Sequence, residues 1–128
     1  MSTLKVTNIQ ATGETASRAV SGVAAAWVDF VQATATAVDS MNVSSITDNG
    51  TGDFTVNFNS ALANSGYAYS GFADSTGATS SLMIFRLAPT AAKLAGSCGI
   101  FTGYATTSVG FTKYEYIGLV FTAHGDLA

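Results

Sequence analysis

From Asn49 to Gly125 the chain is interrupted about every ten residues by clusters of Gly, Asn, Asp, Ser and Thr, and the stretches between them are short and rich in aromatic and branched residues. This is the punctuation of an all-β sandwich or barrel. Alternating strands and helices would need longer uninterrupted segments. The expected fold is therefore an antiparallel β-sandwich, jelly-roll-like, of about seven to nine strands.

The clearest strand is Asp53 to Ser60, where Phe54, Val56 and Phe58 alternate with Thr55, Asn57 and Asn59. A period of two puts one face in a core and the other in solvent. Asp48-Asn49-Gly50-Thr51-Gly52 precedes it as a tight connection, and the stretch from about Val38 to Ser60 reads as one hairpin. Tyr67 to Asp74 is a second strand. Ser81 to Leu87 is apolar on both parities apart from Arg86, as a strand covered on two sides would be, and Pro89 ends it. Gly99 to Ala105 and Tyr114 to Thr122 complete the set. In Ala16 to Val38 the alanines favour a helix, while Trp27, Val28, Phe30 and Val31 favour a strand, so propensity leaves this segment open. Leu4, Val6 and Ile9 suggest a short extended arm over residues 1–15, able to reach a neighbouring subunit, with one domain over 16–128.

Only 10% of the 128 residues are charged, 48% are hydrophobic, and the formal net charge is -3. Thr, Ser, Asn and Gly must supply most of the polar surface, and weak charge repulsion favours self-association. The five basic residues Lys5, Arg18, Arg86, Lys93 and Lys113 are scattered, so nucleic acid is not an expected partner. Met1 to Gln10 lacks the basic-then-apolar pattern of a signal peptide, which leads us to expect synthesis and folding in a cytoplasm. The stretch from Gly22 to Val31 is too short to span a bilayer, so membrane insertion is not expected.

No residue pattern calls for catalysis, a cofactor or a metal. The single histidine, His124, has no local frame for a Ser-His-Asp set, and the single cysteine, Cys98, reads as a buried thiol. Asp48 and Asp53 flank a turn without the spacing of a calcium loop, and a capped turn is the simpler reading. Tyr67, Tyr69, Phe72, Tyr104, Tyr114 and Tyr116 supply more aromatic surface than a bare core needs. The five tyrosines are the candidate interface or ligand contacts, since such rings suit subunit contacts or sugar faces.

The run Ala16 to Phe30, with Ala24-Ala25-Ala26-Trp27-Val28-Asp29-Phe30 at its end, and the run Asp39 to Phe58, containing Asn42-Val43-Ser44-Ser45-Ile46-Thr47-Asp48-Asn49-Gly50-Thr51-Gly52-Asp53, resemble a module of tailed-bacteriophage virion structural proteins of the tail-fibre or appendage type. It covers roughly the first half of the chain. The resemblance implies that Trp27 to Phe30 is a strand, that the protein belongs to a virion, and that it assembles as a homotrimer. One position departs from the module, with Ala25 where a lysine is usual. The implied roles are a fibre or appendage domain in host adhesion, with host surface polysaccharide as a possible ligand and other virion proteins reached through the arm. The alternative is a capsid-decoration or head-fibre protein with an architectural role.

Overall fold

The structure, a computed structural model, describes residues 6, 8–9, 18–19, 23–74, 82–88, 93–106 and 110–128. Among the described residues eleven strands run in the order β1 (Asn8–Ile9), β2 (Arg18–Ala19), β3 (Ala24–Val31), β4 (Thr36–Met41), β5 (Val43–Gly50), β6 (Asp53–Phe58), β7 (Ala68–Asp74), β8 (Leu82–Leu87), β9 (Ser97–Thr106), β10 (Gly110–Lys113) and β11 (Gly118–His124). One 3-10 turn, Gln32–Thr34, joins β3 to β4. The fold is an all-β sandwich of antiparallel sheets. Its front sheet has the order β4-β3-β11-β7. In the back sheet β5 pairs with β6 and β6 with β9, while β9 also pairs with β10 and β8.

Alternation sets which residues meet between the sheets. Phe54, Val56 and Phe58 of β6 are buried, as are Ala26, Val28 and Phe30 of β3 and Leu119, Phe121 and Ala123 of β11. Phe30 meets Phe54 edge-on at 5.3 Å between ring centroids, and Phe58 stacks on Phe121 at 6.4 Å, so aromatic pairs join the two layers. The alanine-rich β3 is a strand because it lies between β4 and β11, whose backbones take its hydrogen bonds. Tertiary pairing overrides alanine's helix preference here.

Three sequence expectations are corrected. The hairpin begins at Val43, not Val38, because β4 belongs to the front sheet and the chain changes sheets at Asn42. Asn42 takes φ 56°, a left-handed conformation that asparagine tolerates better than most residues. Its Nδ2 donates to the Ala25 and Ser60 carbonyls at 2.9 and 3.0 Å, and its Oδ1 accepts the Ser60 N–H at 2.7 Å. Second, β8 is an edge strand with Arg86 exposed and Ile84, Phe85 and Leu87 half-buried, so it is not covered on both sides. Pro89 lies outside the described residues. Third, Gly110–Lys113 forms β10, and residues 114–117 carry the chain back to the front sheet, so the last strand starts at Gly118 and not at Tyr114.

The turn ahead of β6 supports the junction of β6, β9 and β10. Gly52 has φ 61°, and its carbonyl accepts the Thr102 N–H at 2.9 Å. A Cβ at Gly52 would overlap the Thr102 carbonyl and come within 2.7 Å of the Tyr114 nitrogen. Gly52→Ala therefore combines backbone strain with a backbone clash, and the expected loss is about 3–5 kcal/mol. Urea unfolding measures it, and an unchanged midpoint would refute the tight approach.

Candidate binding surfaces

Two of the acids serve structure. Asp48 accepts the Gly50 N–H at 2.8 Å, capping the turn, and Asp53 Oδ2 pairs with Lys113 Nζ at 2.6 Å. His124 Nε2 lies 3.3 Å from Thr122 Oγ1. Among the described residues no group of three or more His, Cys, Asp or Glu side chains could hold a metal ion, and no helix is long and apolar enough to cross a membrane. A hollow of about 200 Å³ beside Tyr67, His124 and Asp126, and one of about 370 Å³ between β4 and β5, are open to solvent.

The five tyrosines divide between core and surface. Tyr67 and Tyr116 are buried, which removes them as contact residues. The Tyr67 hydroxyl donates to the Ser97 carbonyl at 3.0 Å and that of Tyr116 to the Gly103 carbonyl at 2.7 Å, so their phenols satisfy buried carbonyls. Tyr69 is half-buried against Phe85. Tyr104, Tyr114 and Tyr116 form one edge-on cluster with centroids 5.9 and 5.1 Å apart, of which Tyr114 is exposed. In the expected arm, Leu4 lies outside the described residues. Val6 is exposed, and Ile9 sits opposite Arg18 in the two-residue β1–β2 ladder.

Burial pushes the Tyr67 phenol well above its ordinary range, with smaller contributions from a hydrogen bond and charge coupling to Cys98. Burial also raises the Cys98 thiol above its ordinary value of 9.0. Both groups are neutral when folded and ionise more readily when unfolded. Their contribution to stability is thus complete below the unfolded-state values and is lost as pH rises beyond them. The thermal midpoint is expected to fall above about pH 9, less steeply in Tyr67→Phe. Cys98 should react with a thiol reagent only on unfolding, and reaction in the native state would contradict its burial.

The outer face of the front sheet is the exception to this economy. Trp27, Asp29 and Val31 of β3 point away from the core, as do Val120 and Thr122 of β11, Phe72 of β7 and Met41 of β4. Register places Val120 between Phe72 and Asp29, and Trp27 between Thr122 and Met41. Phe72 is 78% exposed and Val120 47%. Ordinary strand spacing and rise make the whole face roughly 15–20 Å wide and 20–25 Å long. Apolar side chains share it with Asp29 opposite Asp39 and Thr122 opposite Ser70, and exposed apolar clusters mark interaction sites. Of this set only Phe72 belonged to the surplus aromatics of the sequence, and Trp27 was read as a strand former. The surface role of Trp27, Val120 and Met41 becomes visible once strand register is known.

The outer face of the back sheet is different in kind. Asn57 Nδ2 donates to Ser45 Oγ at 3.1 Å and Thr47 Oγ1 at 2.9 Å, and Asn49 Nδ2 donates to Thr55 Oγ1 at 2.9 Å. Beside this neutral ladder, Phe101 and Phe111 stack at 6.3 Å under Arg86 and Lys113.

The chain matches no family model, and no curated protein or solved structure is measurably similar to it.

Proposed function

We propose that this chain is a non-enzymatic structural protein of a tailed-phage virion, a homotrimeric fibre or appendage domain that takes part in host recognition. The observation that carries the assembly half is the exposed apolar face of the front sheet, with Phe72 and Val120 at adjacent register positions. Such a face is costly to leave in water and is relieved by a second copy of the same chain. The phage setting is supported by the resemblance of residues 16–58 to a virion module.

The chain's unspent chemistry is contact chemistry. Asp48 caps a turn and Asp53 pairs with lysine, while the front sheet exposes apolar side chains around the register pair Asp29 and Asp39 and the back sheet exposes neutral polar ones. Purified protein is expected to adhere to host cells or their surface polysaccharide at micromolar concentration. Failure to adhere, together with particles that lose physical stability but adsorb normally when the protein is removed, would replace this reading with an architectural, capsid-decorating role.

A further inference from the structure

Arg86 is positioned by two aromatic rings. It is exposed on β8, with its guanidinium carbon 4.6 Å from the Phe111 ring centroid and 5.6 Å from that of Phe101. Among the described residues, none accepts a hydrogen bond from it. Lys113, on the same ring pair at 3.8 Å from the Phe101 centroid, is already neutralised by Asp53. Cation–π contact thus fixes the position of a guanidinium whose N–H donors meet no acceptor among the described residues, an arrangement suited to a carboxylate.

The groups further along the same face are suited to hydroxyls. Arg86 lies opposite Phe101, and Phe101 opposite Asp53, so β6 is two strands, about 10 Å, across from Arg86, and Asn57 lies about 13 Å further along β6. Because Asn57 spends both amide hydrogens on Ser45 and Thr47, its Oδ1 and those two hydroxyl hydrogens remain available. Asn49 and Thr55 leave a further acceptor and a further donor. The ladder therefore offers donors and acceptors whose orientations are already set by cross-strand bonds, which lowers the entropic cost of binding.

We propose that the outer face of the back sheet binds a carboxylate-bearing saccharide, with Arg86 taking the carboxylate and the Asn57–Ser45–Thr47 and Asn49–Thr55 sets taking ring hydroxyls. This rests on the recognition half of the reading above and names its ligand class. A second copy of the chain is the poorer occupant, because small neutral polar side chains are depleted from subunit interfaces and the apolar face is on the other sheet.

The test is calorimetric titration of the full chain with tetragalacturonate and with its methyl ester, the same sugar with its carboxylates neutralised. Tetragalacturonate is expected to bind, the ester about tenfold more weakly or worse, and Arg86→Gln should lose about tenfold with an unchanged far-ultraviolet circular dichroism spectrum. Combined Thr47→Val and Thr55→Val should weaken both ligands. Absence of binding to either, or equal binding by Arg86→Gln, would overturn the assignment. So would an Arg86→Gln protein whose assembly mass changes while no sugar binds, which would give the carboxylate to a second copy. Sugar binding through Arg86 without cell adherence would remove the recognition role and leave the site standing, whereas adherence that survives Arg86→Gln would do the reverse.

Discussion

Gln32→Ala is expected to lower the free energy of unfolding by about 4 kcal/mol, a large share of the stability of a domain this size. Gln32 is fully buried in the 3-10 turn between β3 and β4. Its Oε1 accepts from Thr102 Oγ1 and from the Tyr116 N–H, each at 3.0 Å, and its Nε2 donates to the Gly118 carbonyl at 3.2 Å. One amide therefore joins the front sheet, the back sheet and the segment that crosses between them. Truncation leaves the buried Tyr116 N–H without its partner, removes the bond to the part-buried Gly118 carbonyl, and adds a cavity. Thr102→Val should cost less, about 1–2 kcal/mol, because Gln32 keeps the Tyr116 N–H. Urea midpoints decide between them, and a loss under about 1 kcal/mol for Gln32→Ala would show that the lock is dispensable.

Combined replacement of Phe72 and Val120 by serine is expected to abolish assembly and spare the fold. Both side chains face away from the core, so their removal opens no cavity and exposes no buried polar group. In an assembly each phenylalanine would bury an apolar side chain worth roughly 1.5–3 kcal/mol, once per protomer. Losing that contribution from every copy moves the dissociation constant by several tenfold steps. The variant should keep its near-ultraviolet circular dichroism and show a thermal midpoint independent of protein concentration, whereas the unmodified chain's midpoint should rise with concentration. Concentration dependence that persists in the variant would place the contact elsewhere.

Much of the architecture is legible in the sequence because it is local. The alternation of Phe54, Val56 and Phe58 with Thr55 and Asn57 fixes both the strand and its buried face, and the Asp48–Gly52 turn fixes the start of β6. Of the four crossings between sheets, those at Asn42 and at residues 114–117 are not local. Nothing in Thr36 to Ser45 marks Asn42 as a border, since its left-handed conformation depends on carbonyls at Ala25 and Ser60. Likewise the departure of residues 114–117 from the back sheet depends on Gln32, more than eighty positions away.

The binding faces were hidden for a related reason. In Tyr67 to Asp74, bulky residues occupy both parities, with Tyr67 and Tyr69 on one and Phe72 on the other, so alternation alone cannot choose the inner face. Pairing with β11 makes the choice, turning Ala73 inward and Phe72 outward. Tyr67 and Tyr116 are equivalent to Tyr114 as residue types. Hydrogen bonds from their hydroxyls to the Ser97 and Gly103 carbonyls, the former also taking the Leu94 N–H, accompany their burial.

Sedimentation equilibrium of the unmodified chain at micromolar concentration tests the central claim of an assembling sandwich most directly. A single species of three protomers, reduced to one protomer by the Phe72 and Val120 serine variant, is the expected result. A monomer whose mass is unchanged by those substitutions would contradict it.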